Sequence, residues 1–528
     1  MSNQLRYIII ALIGGGLMAL GWPPLKLPYP LFIGLVPLLM LEHLTTNQKH
    51  FGKYVYLGLF AFNLISTWWV WNASPGGAVF MLFANSFLML LPFLIYRKTK
   101  RLVGESKALI FFVISWLSFE HFHFRWDLAY PWLTLGNGFA SSPELVQWYE
   151  YTGAQGGSLW IILINVFLFK WVKSYRSKFA TIASIGLILP TLWSMYLGSQ
   201  QTKCPPIKSV NVSIIQPNID PYHKFDNGSA SDQIRMFTEL AEEATQAETD
   251  LLIFPETALT GNHNEENIQH HPGVRAMRGY QLKHPKVDIL IGASTHRFYQ
   301  AGEELPKYPR YYEPTNEYYD SYNTALQINS DGSIETYHKS RLVPGVESMP
   351  FPRFFKLFDN LLKLDFGGVS GNLGSDKEAK SFHYSNRKDY AVAPLICYES
   401  VFGDYVGDFV AKKADFLAVI TNDGWWGNTA GHRQHKDYAR LRAIEYRRYV
   451  VRSANTGISC VIDDNGNVLD ELGWWKKGYL QAEIPALQYT TYYAKTGDYL
   501  GRIAQFIFLF FGLSLIVKVI RQRNPVLS

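Results

Sequence analysis

Three residues with complementary chemistry, Glu256, Lys339 and Cys397, each follow a short run that is predicted to form a strand. A carboxylate at a sheet rim can act as a base when it is partly desolvated. An ammonium beside a reacting carbonyl stabilises the oxyanion of a tetrahedral intermediate. A thiol at a sharp bend near a helix N-terminus favours the nucleophilic thiolate. Together the three types can carry out covalent catalysis at a carbonyl carbon.

Each of these residues also has an ordinary structural interpretation when it is considered alone. Glu256 is then a surface carboxylate at a strand end, Lys339 is a solvated lysine, and Cys397 is a buried cysteine that packs as a small apolar residue. These alternatives stay open for each residue separately. The combination of all three favours catalysis.

The chemistry requires a sheet whose strand ends carry these side chains, and residues 200–498 have the pattern of such a sheet. Their apolar runs are short and rich in β-branched residues, which predicts buried strands. The predicted strands are 209–216, 250–254, 289–294, 390–397 and 416–421.

Polar residues closed by glycine predict two hairpins in the same region. The hairpins pair 323–328 with 333–337, and 457–462 with 467–472. Apolar residues at helical spacing predict a helix over 231–247 that faces a sheet. Because strands alternate with helices, an α/β layered domain is expected.

Apolar stretches on both sides of this region predict a membrane domain. Several approach the roughly 20 residues that are needed to cross a bilayer. They lie at about 6–22, 30–43, 54–72, 77–96, 107–124, 157–172, 179–198 and 500–520. We therefore predict about eight transmembrane helices. The expected domains are 1–200 (transmembrane), 201–490 (catalytic) and 491–528 (a C-terminal transmembrane helix with a cytoplasmic tail).

The distribution of basic residues predicts the orientation of these helices. Lysine and arginine cluster in the loops of one side, whereas the other loops hold little beyond Lys26 and Arg125. Because the basic side is normally cytoplasmic, residues 200–498 are expected outside the cytoplasm. About ten residues separate Gly198, at the end of an apolar stretch, from the first strand, and about fifteen separate the last strand, 479–484, from the final apolar stretch. Both ends of the domain are therefore expected to be tied close to the bilayer.

Charge and cysteine content exclude other function classes. The net charge of +6 comes from short basic runs beside apolar segments, where membrane topology explains them, so nucleic-acid binding is not expected. Cys204, Cys397 and Cys460 are too few for a disulfide scaffold and lack the paired spacing of a zinc site. Cys204 and Cys460 are expected to be structural.

No metal or organic cofactor is expected. Glu120, His121 and His123 combine a carboxylate with two imidazoles, but a metal site needs three or more converging, well-spaced ligands. We interpret these residues as interfacial polar side chains.

Three motifs in this order resemble the Glu-Lys-Cys triad of the nitrilase superfamily: Phe-Pro-Glu, Lys-x-x-Leu-Val-Pro and Cys-Tyr-Glu. The segments 214–218 and 421–427 resemble the first strand and the Asn-Asp-x-Trp loop of that superfamily. The attachment to seven preceding apolar stretches and one following stretch resembles bacterial apolipoprotein N-acyltransferases, over essentially the whole chain. The resemblance implies an αββα sandwich in which Glu256, Lys339 and Cys397 are catalytic.

The resemblance also implies roles for four neighbouring residues. Glu347 and Glu399 match further glutamates of the family and are expected to position the base and the lysine. Tyr398 and Trp425 are expected to support the site or contact substrate. Family members often read Leu-Val-Pro-Phe-Gly-Glu where this chain reads Leu-Val-Pro-Gly-Val-Glu at 342–347, so the turn before Glu347 must differ.

The activity that the resemblance implies is transfer of a fatty acyl chain. The donor is a phospholipid, the intermediate is a thioester on Cys397, and the acceptor is the N-terminal amine of diacylglyceryl-cysteine in an apolipoprotein. The expected location is the bacterial inner membrane, with several membrane passes and a periplasmic catalytic domain, as a monomer without a cofactor. A membrane-tethered amidase or lipid hydrolase with the same three residues is the alternative.

The segment 349–362 combines aromatic and basic residues. It is interpreted either as an arm that dips into the membrane interface or as a loop that packs on the domain.

Overall fold

The computed structural model describes residues 2–45, 50–200, 208–224, 229–305, 309–351, 372–385, 390–487 and 489–523. The chain divides into two compact units. The first comprises Met1–Gln200 with Lys495–Ser528, and the second comprises Gln201–Ala494. Cys204 and most of the predicted arm, from residue 352 onward, lie outside the described residues.

The first unit is helical. Its longer helices in the described ranges are Asn3–Ala19, Leu31–Leu44, Phe51–Thr67, Pro75–Val103, Glu105–His123, Ala154–Ser174, Ser177–Ser199 and Tyr499–Arg523. Each overlaps one of the predicted apolar stretches. The helical prediction for this unit is therefore confirmed.

Fewer of these helices qualify as membrane spans than the sequence predicts. By length and composition, four described helices can cross a bilayer: Pro75–Val103, Ala154–Ser174, Ser177–Ser199 and Tyr499–Ile520. The first three helices of the chain have 17, 14 and 17 residues. They are shorter than the roughly 20 residues that a perpendicular span requires.

The acid and imidazole group of the fifth helix is buried within this unit. Glu120 Oε1 accepts hydrogen bonds from Trp116 Nε1 at 3.0 Å and from the backbone N–H of Leu135 at 2.9 Å. His123 Nε2 lies 3.1 Å from Asn85 Oδ1. Glu120 and His123 therefore bind different partners. All three side chains are nearly inaccessible, so the interfacial interpretation was wrong about their exposure.

The second unit contains two sheets, whose strands we number along the chain. The first sheet is formed by β1 Ser209–Gln216, β2 Leu251–Ile253, β3 Leu259–Asn264, β4 Asp288–Phe298, β5 Arg310–Tyr312, β6 Glu317–Ile328, β7 Ile334–His338 and β14 Gly478–Pro485. The second is formed by β8 Phe382–His383, β9 Ala391–Ile396, β10 Phe416–Thr421, β11 Val450–Ala454, β12 Ser459–Ile462 and β13 Val468–Leu472.

Parallel strands lie at the centre of both sheets. The order in the first sheet is β14-β1-β2-β4-β6-β5, with β3 on β4 and β7 on β6, and in the second it is β13-β12-β11-β10-β9-β8. β1, β2 and β4 are mutually parallel, as are β9, β10 and β11. Their carboxyl ends therefore meet at one edge of each sheet, where site residues gather.

The two sheets pack face to face between outer helices. Ser453 Oγ donates to the carbonyl of Ile215 at 2.8 Å, which joins β11 to β1. Ser229–Ala244 and Pro272–Lys283 pack on the first sheet, and Gly403–Ala411 and Ala430–Tyr446 on the second. This is the αββα arrangement that the resemblance implied.

An apolar core explains why these strands form. Ile215, Leu252 and Ile289 of the parallel strands are fully buried with Phe237 and Met277 of the covering helices. Strands buried on both faces have near-continuous apolar runs, which the sequence shows. The predicted bounds 209–216 and 416–421 match β1 and β10.

β4 is longer than its apolar run. It continues through Thr295 to Phe298 because these residues pair antiparallel with Tyr322 to Tyr319 of β6. The hydrogen-bond ladder extends this part of the strand, so the apolar pattern that predicted 289–294 did not reveal it.

Candidate active site

The three predicted catalytic residues follow strands β2, β7 and β9 of the second unit. Glu256 lies three residues beyond the end of β2 in a turn whose next residue, Thr257, has φ +48°. Lys339 directly follows β7. Cys397 directly follows β9 with φ +52° and begins a short 3-10 turn. Such left-handed backbone is costly for residues other than glycine and concentrates at functional sites.

The Glu256 carboxylate is oriented by donors on both of its oxygens. Oε1 accepts from Asn323 Nδ2 at 2.8 Å and from Lys339 Nζ at 3.3 Å. Oε2 accepts from the backbone N–H of Asn422 at 3.0 Å. The carboxylate therefore has a fixed direction.

Lys339 carries a permanent charge. Its side chain is 1% exposed, and Nζ lies 2.8 Å from Glu347 Oε1 in addition to its contact with Glu256. Burial alone would lower the pKa of Lys339, but Glu347, Glu256 and Cys397 outweigh burial and raise it. The ammonium is thus available to stabilise an oxyanion across the physiological pH range.

The pKa of the Cys397 thiol is raised above its usual value, which favours the protonated form. Burial raises the pKa of this thiol, the negative charge of Glu256 raises it further, and Lys339 lowers it less than these two raise it. The sharp bend was predicted correctly, but the expectation of a stabilised thiolate was wrong. The turn Cys397–Val401 is too short to supply a substantial helix dipole, so the thiol needs a base to lose its proton.

Glu347 reaches the lysine despite the altered motif. Gly345 has φ +79°, and the N–H of Glu347 donates to the carbonyl of Val343 at 2.9 Å. Glu347 Oε1 lies 3.1 Å from Asn323 Nδ2, and Oε2 accepts from the N–H of Val343 at 2.8 Å. The different turn that the sequence requires therefore still brings this carboxylate to Lys339.

Residues on either side of the undescribed segment 352–371 are joined beside this turn. The N–H of Met349 donates to Asn372 Oδ1 at 2.8 Å, and the N–H of Leu373 donates to the carbonyl of Glu347 at 2.8 Å. The residues on the two sides of this segment are therefore held together next to Glu347.

Glu399 connects the loop after Lys339 to the strand before Cys397. Its Oε1 accepts from the N–H of Ser340 at 2.7 Å, and its Oε2 accepts from the N–H of Ile396 at 2.8 Å. The side chain is fully buried, and burial raises its pKa to about 7 against the opposing effect of these hydrogen bonds. It holds two segments of the site at a fixed separation.

The two aromatic candidates each pack against another aromatic ring. Tyr398 is buried and packs its ring edge-to-face with Phe402 at 5.1 Å between centroids. Trp425 is half-buried and meets the ring of Tyr222 at 5.3 Å. Their contact with substrate stays a prediction.

Asn323 belongs to the site and was missed by the sequence reasoning. Its amide nitrogen donates to both Glu256 and Glu347, so it holds two carboxylates side by side. The available signal was an asparagine at the start of a predicted strand whose neighbours are apolar or β-branched. That signal does not identify its partners, which lie 67 and 24 residues away in sequence.

A second missed group lies behind Cys397 and consists of Asp423, His435 and Arg452. Arg452 pairs with Asp423 Oδ2, and His435 Nδ1 lies 2.9 Å from Asp423 Oδ1. His435 Nε2 lies 3.1 Å from the carbonyl oxygen of Cys397, which also accepts from Ser400 Oγ at 2.8 Å. This group therefore holds the backbone of the nucleophile.

The same group has metal-type ligands but a charge that disfavours a cation. Atoms of Cys397, Asp423 and His435 lie within 4.8 Å of one another. Burial raises the pKa of Asp423, but Arg452 and His435 outweigh burial and hold it well below its usual range. Because the guanidinium already neutralises the carboxylate, the group acts as a hydrogen-bond network.

Comparisons with known proteins agree with this architecture. Residues 211–493 match the carbon-nitrogen hydrolase family, and residues 14–167 match the apolipoprotein N-acyltransferase N-terminal domain. An apolipoprotein N-acyltransferase from Chlorobaculum tepidum is 29% identical over 521 residues, which cover 95% of this chain and 94% of the relative. One from Haemophilus ducreyi is 28% identical over 396 residues, covering 73% and 71%.

A CN-hydrolase superfamily protein from Xanthomonas campestris, solved with an arsenic adduct in its active site, is similar in structure. It is 18% identical, and the match covers 53% of this chain and 92% of that chain with a TM-score of 0.36.

Proposed function

Since this chain belongs to the carbon-nitrogen hydrolase family, we propose that it is an apolipoprotein N-acyltransferase. It moves a fatty acyl chain from a phospholipid, through a thioester on Cys397, to the N-terminal amine of diacylglyceryl-cysteine in a lipoprotein. The observation that carries the chemistry is the hydrogen-bonded group Glu256, Lys339 and Glu347 beside a protonated thiol. The match of residues 14–167 and the named relatives support the choice of substrates.

In the first half-reaction, Glu256 takes the proton from the Cys397 thiol as the sulfur attacks the ester carbonyl of the phospholipid. The carbonyl oxygen becomes an oxyanion, which the Lys339 ammonium stabilises. The ester C–O bond then breaks, and Glu256 returns its proton to the departing lysophospholipid oxygen. The acyl chain stays on sulfur as a thioester.

In the second half-reaction, the neutral amine of the acceptor attacks the thioester carbonyl. Glu256 removes a proton from the attacking nitrogen, and Lys339 again stabilises the oxyanion. The C–S bond breaks, Glu256 protonates the leaving sulfur, and an amide is released. A thioester reacts with amines far more readily than an oxygen ester does, which lets the amine compete with water.

The remaining site residues have supporting roles in this proposal. Glu347 and Asn323 hold Lys339 and Glu256 at their positions. Glu399 keeps the segments of Lys339 and Cys397 together. Tyr398 and Trp425 contact the lipid or support its path.

We propose the following membrane placement. The eight long helices span the bacterial inner membrane, with residues 1–200 as the membrane domain, 201–490 as the periplasmic catalytic domain, and 491–528 as the last span and tail. Support comes from eight helices that overlap the apolar stretches and from the clustering of basic residues in the loops of one side. The protein acts as a monomer, with phospholipid and diacylated lipoprotein as its partners.

Mass spectrometry of the intact protein after exposure to phospholipid tests this function. We expect an acyl-sized mass increment that hydroxylamine removes and that is absent in Cys397→Ala. A diacylated peptide should then discharge the adduct and gain the acyl chain as an amide. Release of free fatty acid at a rate independent of peptide would instead identify a lipid hydrolase, and the absence of any adduct would contradict the proposal.

A further inference from the structure

A second buried lysine lies beside the general base and has no role in the steps above. Lys224 follows β1, and its side chain is almost inaccessible. Nζ donates to the carbonyl of Glu256 at 3.1 Å and to Thr257 Oγ1 at 2.9 Å. The ammonium therefore binds the backbone of the base and the side chain of the next residue.

The turn that Lys224 binds is strained. Thr257 has φ +48°, a conformation that is costly for a β-branched residue and persists only where surrounding contacts enforce it. The turn also lies directly on β4. A Cβ on Gly292 would come within 2.5 Å of Thr257 N and 2.6 Å of Glu256 Cα. Close packing on Gly292 and the bonds from Lys224 together set the direction of the Glu256 side chain.

Lys224 is itself held in place by neighbouring elements. Gln233 Nε2 donates to its carbonyl at 2.8 Å. The segment before it is fixed by Asn455, whose Oδ1 accepts from the N–H of Ile219 at 3.0 Å. The Nδ2 of Asn455 donates to Asn422 Oδ1 at 3.1 Å, and the N–H of Asn422 donates to Glu256. The lysine is therefore part of the framework that orients the carboxylate.

Lys224 also affects the charge balance around Glu256. Burial lowers the pKa of Lys224 to about 7, while the charge of Glu256 opposes that shift. The other titratable groups that face Glu256 are Lys339, Glu347 and Cys397. A second cation near the base favours its ionised form, which is the form that accepts the thiol proton.

We propose that Lys224 is a positioning residue for the general base: it holds the strained turn at Glu256 and Thr257 so that the carboxylate can accept the proton of Cys397. This inference rests on the proposed function, because the affected step is thioester formation. Lys224 acts through Glu256 and does not contact the substrate.

The test uses the full-length protein in detergent with excess phospholipid, and measures the single-turnover rate of the acyl adduct across pH. Lys224→Met should lower this rate by about 10- to 100-fold, because a small displacement of a catalytic group has effects of this size. The half-saturating phospholipid concentration should stay unchanged. The acidic limb of the rate profile should move to higher pH, since loss of the nearby cation favours the protonated base.

Two further variants separate positioning from packing. Lys224→Arg keeps a cation that can bind the same carbonyl, and it should recover a large part of the rate and the original acidic limb. Thr257→Val removes one of the two bonds and keeps the shape, so the rate should fall roughly 2- to 5-fold with no change in the limb. Lys283→Met, at an exposed ion pair with Glu242, is the matched control and should behave as the unmodified protein.

The outcomes distinguish this inference from the proposed function. Failure of the unmodified protein to form an adduct would overturn both. Normal adduct formation by the unmodified protein, together with an unchanged rate and pH profile in Lys224→Met, would overturn only the role of Lys224. If Lys224→Met does not fold, equal rates in Lys224→Arg, Thr257→Val and the unmodified protein would also overturn it.

Discussion

Two buried charge clusters flank the nucleophile, and they differ in what their protons can do. The first holds Glu256, Lys339 and Glu347, so it has two carboxylates and one ammonium. The second pairs Asp423 with Arg452, so its acid and its cation balance. Lys224 adds a second cation at the backbone carbonyl of Glu256, outside the group Glu256, Lys339 and Glu347. Within that group the carboxylates outnumber the ammonium, which leaves a carboxylate able to accept a proton. The second cluster is a balanced ion pair, and it acts only by holding the backbone of Cys397 in position.

The comparison teaches that burial of an ion pair does not by itself indicate catalysis. Arg452 and His435 outweigh burial and hold the pKa of Asp423 well below its usual range, so this pair has one state. The charge of Glu256 raises the pKa of the Cys397 thiol, so the two groups are coupled, and the cluster has a second state in which the proton lies on Glu256. The following predictions test this division, from the largest expected effect to the smallest.

Glu256→Gln should abolish proton transfer while it keeps the side-chain shape. We expect the rate of thioester formation to fall by about 10²- to 10⁴-fold, the usual contribution of a general base. The melting temperature should also fall, because the amide has one acceptor oxygen, whereas Glu256 accepts from Asn323 and Lys339 on Oε1 and from the N–H of Asn422 on Oε2. Adduct formation followed by mass spectrometry measures the effect, with the exposed Glu239→Gln as control. A rate near that of the control would show that Glu256 has a structural role and is not the general base.

Arg452→Met should affect stability first. Removal of one partner of a buried ion pair leaves Asp423 uncompensated, which costs about 3–5 kcal/mol. Thermal unfolding of the purified protein in detergent measures the loss, and the exposed Arg235→Met provides the comparison. Suppose that Arg452→Met unfolds at the temperature of the unmodified protein but loses activity. The division into a catalytic first cluster and a structural second cluster would then be wrong.

Asn323→Asp should alter the pH dependence of the first cluster. The substitution replaces an amide donor between two carboxylates with a third acid. The repulsion favours protonated acids, so the acidic limb of the rate profile should move to higher pH, and the rate at neutral pH should fall roughly tenfold. A profile identical to that of the unmodified protein would show that Asn323 does not bridge the two acids in solution.

A third cluster, His338 with Glu265 and Asp376, should give the smallest effect. Burial lowers the pKa of His338, but the two carboxylates at 2.7 and 2.9 Å outweigh burial and raise it to about 9. The stabilisation is complete below the unfolded pKa near 6.5 and is lost as pH rises through about 9. Melting temperatures of His338→Gln and the unmodified protein should differ most at pH 6 and converge near pH 10. A constant difference would exclude a titrating pair.

Local sequence patterns predicted much of the framework. The parallel strands β1 and β10 have apolar runs that end where the strands end, because burial on both faces determines their composition. Glu256 and Cys397 were selected because each follows such a run, and Lys339 because it follows the predicted hairpin strand 333–337. The order of their motifs then pointed to the correct family.

The missing parts depend on contacts between distant segments. The helix Ala430–Tyr446 is rich in polar residues, yet His435 and Arg442 on it are fully enclosed. A polar helix is normally expected on the surface, and only the placement of Asp423 and Arg452 explains the burial of His435. The expected lowering of the pKa of Cys397 was wrong for the same reason, since burial and the charge of Glu256 raise this pKa.

The hydrogen bonds that join residues 347–349 to residues 372–373 have a practical consequence. Two hydrogen bonds join Met349 to Asn372 and Leu373 to Glu347, so the described residues on the two sides of 352–371 are held together. The entropic penalty of a longer connection rises only slowly, by about 0.6 kcal/mol for each doubling of its length. The position of Glu347 beside the two flanks is therefore set by these two hydrogen bonds and not by the length of the connection.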